Sequence, residues 1–173
     1  MNEPQEGKVA LAVEPLVEEV TVPLSQERAF ALFTERVATW WPLVTYSVAR
    51  EDAVACHFEP HVGGRLVETT RDGTEHVWGT VEAWQPPARI ALTWRPGRTP
   101  STAQQLEVTF VERGAETVVR LVHTGWERLA DGGVAERLAY DSGWDLVLGC
   151  FVDRAGVTEV DRWSAARPSP ARE

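Results

Sequence analysis

Between residues 16 and 41 the hydrophobic pattern changes from that of a strand to that of a helix. The alternation in LVEEVTV (16–22) predicts a first strand. Ser25 has the residue type of a helix N-cap, and apolar side chains then recur at helical spacing from residue 29 to residue 37. A second short helix or turn carries Trp40 and Trp41. We therefore predict two short helices directly after the first strand.

Residues 53–124 alternate between apolar and polar positions, and turn signals interrupt them at nearly regular intervals. This pattern predicts a six-stranded antiparallel meander. The turn signals are Gly63-Gly64, Asp72-Gly73, Pro86-Pro87, the loop 96–100 and Arg113-Gly114. Residues 134–153 then have the periodicity of one long helix, about 30 Å in length if it is continuous.

The chain of 173 residues fits one domain, which we place at residues 13–154. Residues 1–12 and residues 155–173 are rich in polar residues and proline and show little periodicity, so both are expected to be tails. The predicted class is α+β: a strand, two short helices, six strands and a long helix.

Counting residues away from the turns assigns the strand residues to two faces of the sheet. If the Asp-Gly and Pro-Pro pairs are both two-residue turns, Trp78 and Trp84 lie on the outer, solvated face beside Arg95 and Arg89. The same count places on the inner face Leu66, Val77, Gly79, Val81, Ala83, Ile90, Leu92 and Trp94. In the last hairpin it places inside Leu106, Val108, Phe110, Val119, Leu121 and His123.

Three polar residues interrupt the apolar inner face: Glu18, Glu68 and His123. One interpretation is that each lies at a strand end where the sheet opens to water, because a lone buried carboxylate is costly. The other is that they line a wet cavity and orient a ligand. Both interpretations remain open at this stage.

The apolar face of the long helix has a glycine, Gly143, near its middle. A glycine inside a helix costs about 1 kcal/mol relative to alanine, so some feature of the fold should offset it. The glycine allows either a close approach of helix and sheet or a gap beneath the helix. In the second case Tyr140 and Trp144 would form the rim of that gap.

Composition and charge narrow the possible functions. The chain has a formal net charge of −9, which disfavours nucleic-acid binding, and eight tryptophans among its aromatic residues. No apolar run reaches the length of a membrane span and no secretory signal is evident, so a cytoplasmic protein is expected. Cys56 and Cys150 lack metal-ligand spacing and are expected to be reduced and buried, with no metal and no cofactor.

Several local motifs resemble one known family over about residues 14–153. They are GGRLVE (63–68), WGTV (78–81), the Pro86-Pro87 turn with Trp94 downstream, and the Gly143-Trp144 pair. In these the chain resembles the START-like SRPBCC superfamily, and more narrowly the homologues of the activator of heat-shock-protein ATPase. The resemblance implies a helix-grip fold, in which a curved antiparallel sheet of about seven strands wraps around a long C-terminal helix and encloses a hydrophobic cavity.

The fold alone does not select a function, because one fold hosts many activities. Our main hypothesis is a binding module for a small apolar or aromatic ligand, without a firm catalytic role. Its cavity residues would be Trp41, Phe58, Leu66, Glu68, Trp94, His123, Tyr140 and Trp144.

Two alternatives stay open. The first is a co-chaperone-like module that binds a protein partner through Trp78, Trp84, Arg89 and Arg95, since tryptophan and arginine are favoured at interfaces. The second is a cyclase- or dehydratase-like enzyme that uses Glu68 or His123 as its acid or base. No local catalytic motif decides whether the protein is an enzyme.

Overall fold

The computed structural model describes residues 13–129 and 133–165; for residues 158–165 it describes the backbone only. The expected tails at residues 1–12 and beyond residue 165 lie outside the described residues. The strands are β1 (Leu16–Val22), β2 (Ala53–Phe58), β3 (Arg65–Thr70), β4 (Glu75–Gln85), β5 (Arg89–Trp94), β6 (Gln104–Arg113) and β7 (Glu116–Thr124). The α-helices are α1 (Gln26–Thr34) and α2 (Val134–Ala165), and short 3-10 turns lie at Val37–Thr39, Arg50–Asp52, Pro100–Thr102 and Trp126–Arg128.

The strands form one antiparallel sheet in the order β1-β7-β6-β5-β4-β3-β2. This sheet curls around the long helix α2, which confirms the predicted helix-grip fold with seven strands. The last hairpin has the predicted register: Leu106 pairs with His123 and Phe110 with Val119, and all four side chains are buried.

Helix α1 begins as the sequence predicts. The Ser25 side chain accepts a hydrogen bond from the backbone N–H of Arg28, and the helix buries Phe30 and Phe33. The second short helix is a single 3-10 turn at Val37–Thr39. Trp40 follows it and donates its indole N–H to the carbonyl of Leu32, which joins this turn to α1.

Helix α2 is longer than its periodicity predicts, because it continues past Asp153 to Ala165. Ala155, which the pattern assigned to a tail, is fully buried in the core. Both cysteines are free; Cys56 is buried as expected, and burial together with the nearby Glu68 charge raises the pKa of its thiol to about 12. Cys150, on α2, is half-buried rather than buried.

Two β-bulges in β4 overturn part of the predicted register. Leu66 pairs with Gly79 as predicted, but Val67 pairs with Val77, so that Trp78 is the extra residue of the first bulge. Because a bulge shifts the alternation by one residue, Trp78 turns inward and is only 1% exposed. The prediction that Trp78 lies on the outer face beside Arg95 is therefore wrong.

The second bulge lies between Val81 and Ala83 and has the same kind of effect. Beyond it Trp84 pairs with Ile90, not with Arg89, because the turn after Gln85 contains three residues rather than two. The Trp84 ring packs against Phe30 and Phe58, at centroid distances of 5.5 Å and 6.0 Å. Ala83, predicted inside, pairs with Ala91 on the other face.

The predicted partner surface thus loses both of its tryptophans. Arg89 is held by Glu107 through an ion pair of 2.7 Å, and the Arg95 guanidinium donates to the carbonyl of Arg98. Gly79, by contrast, lies on the inner face of β4 as predicted. A Cβ atom there would lie 1.7 Å from the carbonyl oxygen of Thr93, so the glycine makes room for the neighbouring backbone.

Candidate functional site

An aromatic pocket of about 260 Å³ lies between helix α2, the strands β4 and β5, and the loop that follows Trp41. Its volume is slightly below the range of about 300–1,000 Å³ that is usual for small-molecule sites. The residues that line it belong to these four elements or lie directly next to them: Trp41, Thr45, Tyr46, Ser47, Arg50, Trp78, Trp94, Pro96, Ala139, Tyr140, Gly143, Trp144 and Val147.

Four tryptophans form the inner wall of the pocket. The rings of Trp41 and Trp78 are 5.0 Å apart, and those of Trp94 and Trp144 are 5.3 Å apart, measured between centroids. Trp41 also lies 5.9 Å from Trp144 with the rings nearly perpendicular. Such tilted and edge-on contacts are the favoured arrangements of aromatic pairs. The wall is therefore a packed aromatic surface.

Glu68 lies behind this wall and is fully buried. Its Oε2 atom accepts from the Trp78 indole at 2.7 Å and from the backbone N–H of Val48 at 2.8 Å. Its Oε1 atom accepts from the backbone N–H of Ala49 at 2.7 Å. The buried carboxylate thus satisfies three donors. It also joins the sheet to residues 42–50, which form the loop at the pocket mouth.

His123 is also fully buried and lies behind Trp144. The Trp144 indole N–H donates to its Nδ1 atom at 3.0 Å, so we assign the ring proton to Nε2, which donates to Oε1 of Gln104. The ring also packs on Trp126, with centroids 4.0 Å apart. Burial lowers the pKa of His123 to about 3, so the ring is neutral at physiological pH.

Glu68 and His123, each of which the sequence offers as an acid or base, are not hydrogen-bonded to each other. Each is hydrogen-bonded to other partners: Glu68 accepts from the indole of Trp78, and His123 accepts from the indole of Trp144. Both residues therefore position pocket tryptophans instead of contacting the cavity. The sequence left two interpretations open for these inward polar residues: an open strand end or a cavity lining. Neither fits Glu68 or His123.

Glu18, the third inward polar residue, faces helix α2. The pKa of its carboxyl is raised mainly by burial and further by the negative charges of Asp141 and Asp145 on that helix. This group lies apart from the pocket-lining residues.

The loop at the pocket mouth packs on Gly143. A Cβ atom at this position would lie 3.4 Å from the ring of Tyr46, so the glycine accommodates Tyr46 of the loop rather than the sheet. Arg50, at the end of this loop, has a φ of +54°, which is uncommon outside glycine. Its backbone N–H donates to the Ser47 side chain at 2.8 Å, and its guanidinium donates to the carbonyl of Thr45.

Four of the eight residues predicted for the cavity line it: Trp41, Trp94, Tyr140 and Trp144. Leu66 is buried in the core, Phe58 packs against Trp84, and Glu68 and His123 support the wall from behind. Sequence reasoning missed Trp78, because the bulge reverses its face, and the loop residues Tyr46 and Arg50, because no periodicity marks them. The GGRLVE motif indicated Glu68 but not its partners.

A curved antiparallel sheet that encloses a pocket against a long C-terminal helix defines a START-like SRPBCC protein. Within this class the chain belongs to the family described as activator of Hsp90 ATPase homolog 1-like proteins, whose model matches residues 23–151. No helix in the described parts of the chain is long and apolar enough to cross a membrane.

Several solved structures are similar to this chain. Txn09, an anthrahydroquino-γ-pyrone synthase, is 32% identical over 82% of this chain and 97% of its own, with a TM-score of 0.57. CalC of Micromonospora echinospora, a self-sacrificing resistance protein, is 26% identical over 82% of this chain and 93% of its own, with a TM-score of 0.60. The Aha1 dimer of Colwellia psychrerythraea shares the fold at 14% identity, over 82% and 95% of the two chains, with a TM-score of 0.60. Among curated proteins, no match to the chain was found.

Proposed function

We propose that this protein binds a small planar aromatic molecule in the tryptophan-lined pocket. The observation that carries the proposal is the wall of four indoles, whose neighbouring centroids lie 5.0–6.0 Å apart around a cavity of about 260 Å³. Flat aromatic surfaces favour flat aromatic ligands, because stacked and edge-on contacts add to the burial of apolar area. The cavity volume suits a few fused rings rather than a long lipid chain.

The similarity to Txn09 supports the same class of ligand. Its name describes a synthase of an anthrahydroquinone joined to a pyrone, which is a polycyclic aromatic compound. The two alternatives have less support in this fold. The tryptophans assigned to a partner surface pack inward, and the groups assigned to acid–base chemistry are bonded to other residues.

Quenching of tryptophan fluorescence by fluorene, a planar hydrocarbon of three fused rings, tests the proposal. The wild type should show saturable quenching, since the ligand would stack on the indoles. The Ala139→Phe variant places a ring in the cavity and should weaken binding at least about tenfold, equivalent to about 1.4 kcal/mol. Ala135→Phe, one helical turn earlier and outside the lining, is the matched control and should bind as the wild type does.

The proposal fails if quenching by fluorene does not saturate, or if Ala139→Phe binds it as well as Ala135→Phe does. Native mass spectrometry of the protein purified from its own host would identify a tightly bound natural ligand. An aromatic compound of the expected size would support the proposal, whereas a long-chain lipid in the same cavity would contradict it.

A further inference from the structure

The hydrogen-bond donors of the aromatic wall are used almost completely by the protein itself. Each of the four wall indoles donates its N–H to a protein acceptor at 2.7–3.2 Å. The acceptors are the carbonyl of Tyr46 for Trp41, Glu68 for Trp78, the hydroxyl of Tyr140 for Trp94, and His123 for Trp144. A ligand that reaches the wall therefore meets four indole faces and no free indole N–H.

Tyr140 is the exception among the groups of the inner wall. Its hydroxyl oxygen accepts the N–H of Trp94 at 3.2 Å, and among the described residues no acceptor takes the hydroxyl proton. The ring lines the pocket and packs edge-on against His123, with centroids 4.9 Å apart. Burial raises the pKa of this hydroxyl above its usual value, so the proton is present at neutral pH.

We propose that Tyr140 donates a hydrogen bond to the carbonyl oxygen of an aromatic ligand, and that the pocket thereby selects aromatic ketones, quinones or pyrones over hydrocarbons of the same shape. This inference rests on the proposed function and names the class of ligand. The N–H of Trp94 donates to the tyrosine oxygen, which polarises the hydroxyl and strengthens it as a donor.

The same geometry disfavours a ligand hydroxyl at this position. A hydroxyl could accept from Tyr140, but it would bring a proton of its own into the wall. The buried acceptors behind the wall, the Glu68 carboxylate and Nδ1 of His123, already accept indole and backbone N–H groups. A buried donor without an acceptor loses its bonds to water, so a carbonyl fits the site better than an alcohol does.

Three probes of nearly equal shape test the inference: fluorene, 9-fluorenone and 9-fluorenol. The Tyr140→Phe variant removes only the hydroxyl and keeps the ring. It should bind 9-fluorenone about three to ten times more weakly than the wild type does, while its affinity for fluorene changes less than about twofold. Wild-type protein should prefer 9-fluorenone to 9-fluorenol. The Ser142→Ala variant, which removes a hydroxyl from the same helix at a residue outside the pocket lining, should keep the wild-type affinities for all three probes.

Infrared spectroscopy gives a readout that a purely structural role of Tyr140 would not move. The carbonyl stretch of bound 9-fluorenone should lie at lower frequency in the wild type than in Tyr140→Phe, because a hydrogen bond weakens the C=O bond. A carbonyl stretch in the wild type that is typical of an unbonded ketone would overturn the inference without any variant.

Other outcomes separate this inference from the proposed function. If Tyr140→Phe binds 9-fluorenone as the wild type does, or loses affinity for fluorene and 9-fluorenone equally, the hydroxyl is not the selecting donor, although the pocket still binds aromatic molecules. If the wild type binds none of the three probes, the proposed function itself is wrong, and the role assigned to Tyr140 is wrong with it.

Discussion

Replacing Glu68 with glutamine tests whether the buried carboxylate holds the pocket together. In the native protein it accepts three N–H groups at 2.7–2.8 Å, from Trp78, Val48 and Ala49. Glutamine has nearly the same shape but only one acceptor oxygen. If that oxygen keeps the two donors that meet Oε2, the new NH₂ group faces the N–H of Ala49. Two donors then point at each other in a buried site.

The size of the effect follows from these three bonds. A hydrogen bond to a charged group contributes about 1.5–3 kcal/mol, and the corresponding neutral bond is roughly half as strong. Glu68→Gln loses one bond and weakens two, whereas removing the buried charge returns part of the desolvation cost. We expect a net loss of about 2–4 kcal/mol in the free energy of unfolding. For a chain of this size, that lowers the melting temperature by roughly 4–16 °C.

Urea unfolding, followed by near-ultraviolet circular dichroism, measures the global effect. Hydrogen exchange at the amides of Val48 and Ala49 measures the local one, since Glu68 is their acceptor and the variant should exchange them faster. Glu107→Gln is the control, because Glu107 pairs with Arg89 at the surface and should contribute less than about 1 kcal/mol. If Glu68→Gln is as stable as this control and its amides stay protected, the carboxylate does not hold the loop as we argue.

Three further substitutions test other parts of the fold. Gly79→Ala should prevent folding, because its Cβ would lie 1.7 Å from the Thr93 carbonyl oxygen. We expect a loss of more than about 4 kcal/mol in the free energy of unfolding, visible by circular dichroism. A folded variant of normal stability would contradict this. Gly143→Ala should raise stability by up to about 1 kcal/mol, because the exposed Tyr46 ring 3.4 Å away can shift; a lower melting temperature would show that it cannot. His123 has a folded pKa of about 3 against an unfolded value of 6.5, so the unfolded state takes up its proton first and stability is lost as the pH falls below 6.5. Between pH 7 and pH 5 the wild type should therefore lose about 2 kcal/mol more than His123→Asn, measured by urea unfolding, and equal losses would refute the assignment.

The elements that the sequence predicts well are those whose register depends on local signals. The turn after Arg113 joins two regularly alternating strands, so counting residues from it places Phe110 and His123 correctly on the inner face. Helix α1 likewise has its N-cap, Ser25, and its apolar stripe within a few residues of each other. In both cases the residues that decide the structure are neighbours in the chain.

The two bulges could not be predicted in the same way, because the alternation of β4 continues through them without a break. A tryptophan is apolar enough for the inner face of the sheet and amphipathic enough for the outer face. The residue type of Trp78 therefore does not decide which face it occupies. What decides is the carboxylate of Glu68, which needs buried donors and receives one of them from the indole of Trp78. This contact depends on the packing of the whole sheet. The wrong outer-face assignment of Trp84 follows from the same kind of shift.

The loop at the pocket mouth was missed for a related reason. Its backbone bonds run to Glu68, about twenty residues further along the chain, and its tyrosine packs on Gly143, almost a hundred residues away. Neither contact leaves a periodic trace in the sequence around Tyr46. Gly143 predicted either a close approach of the sheet or a gap beneath the helix, and neither alternative points to a loop that precedes it by almost a hundred residues.

The hydrogen bonds of the tryptophans hold the aromatic wall of the pocket in place. Among the side chains that the structure describes, six tryptophans are buried, and each donates its indole N–H to an acceptor: Trp40, Trp41, Trp78, Trp94, Trp126 and Trp144. A ring fixed at its polar edge and packed on its faces has little rotational freedom left to lose. Since ordering side chains is part of the cost of binding, a wall held in this way binds a flat ligand with less loss of entropy than a set of free rings would. The buried Glu68 and His123 therefore contribute to binding without contacting the cavity, because they fix the rings that do.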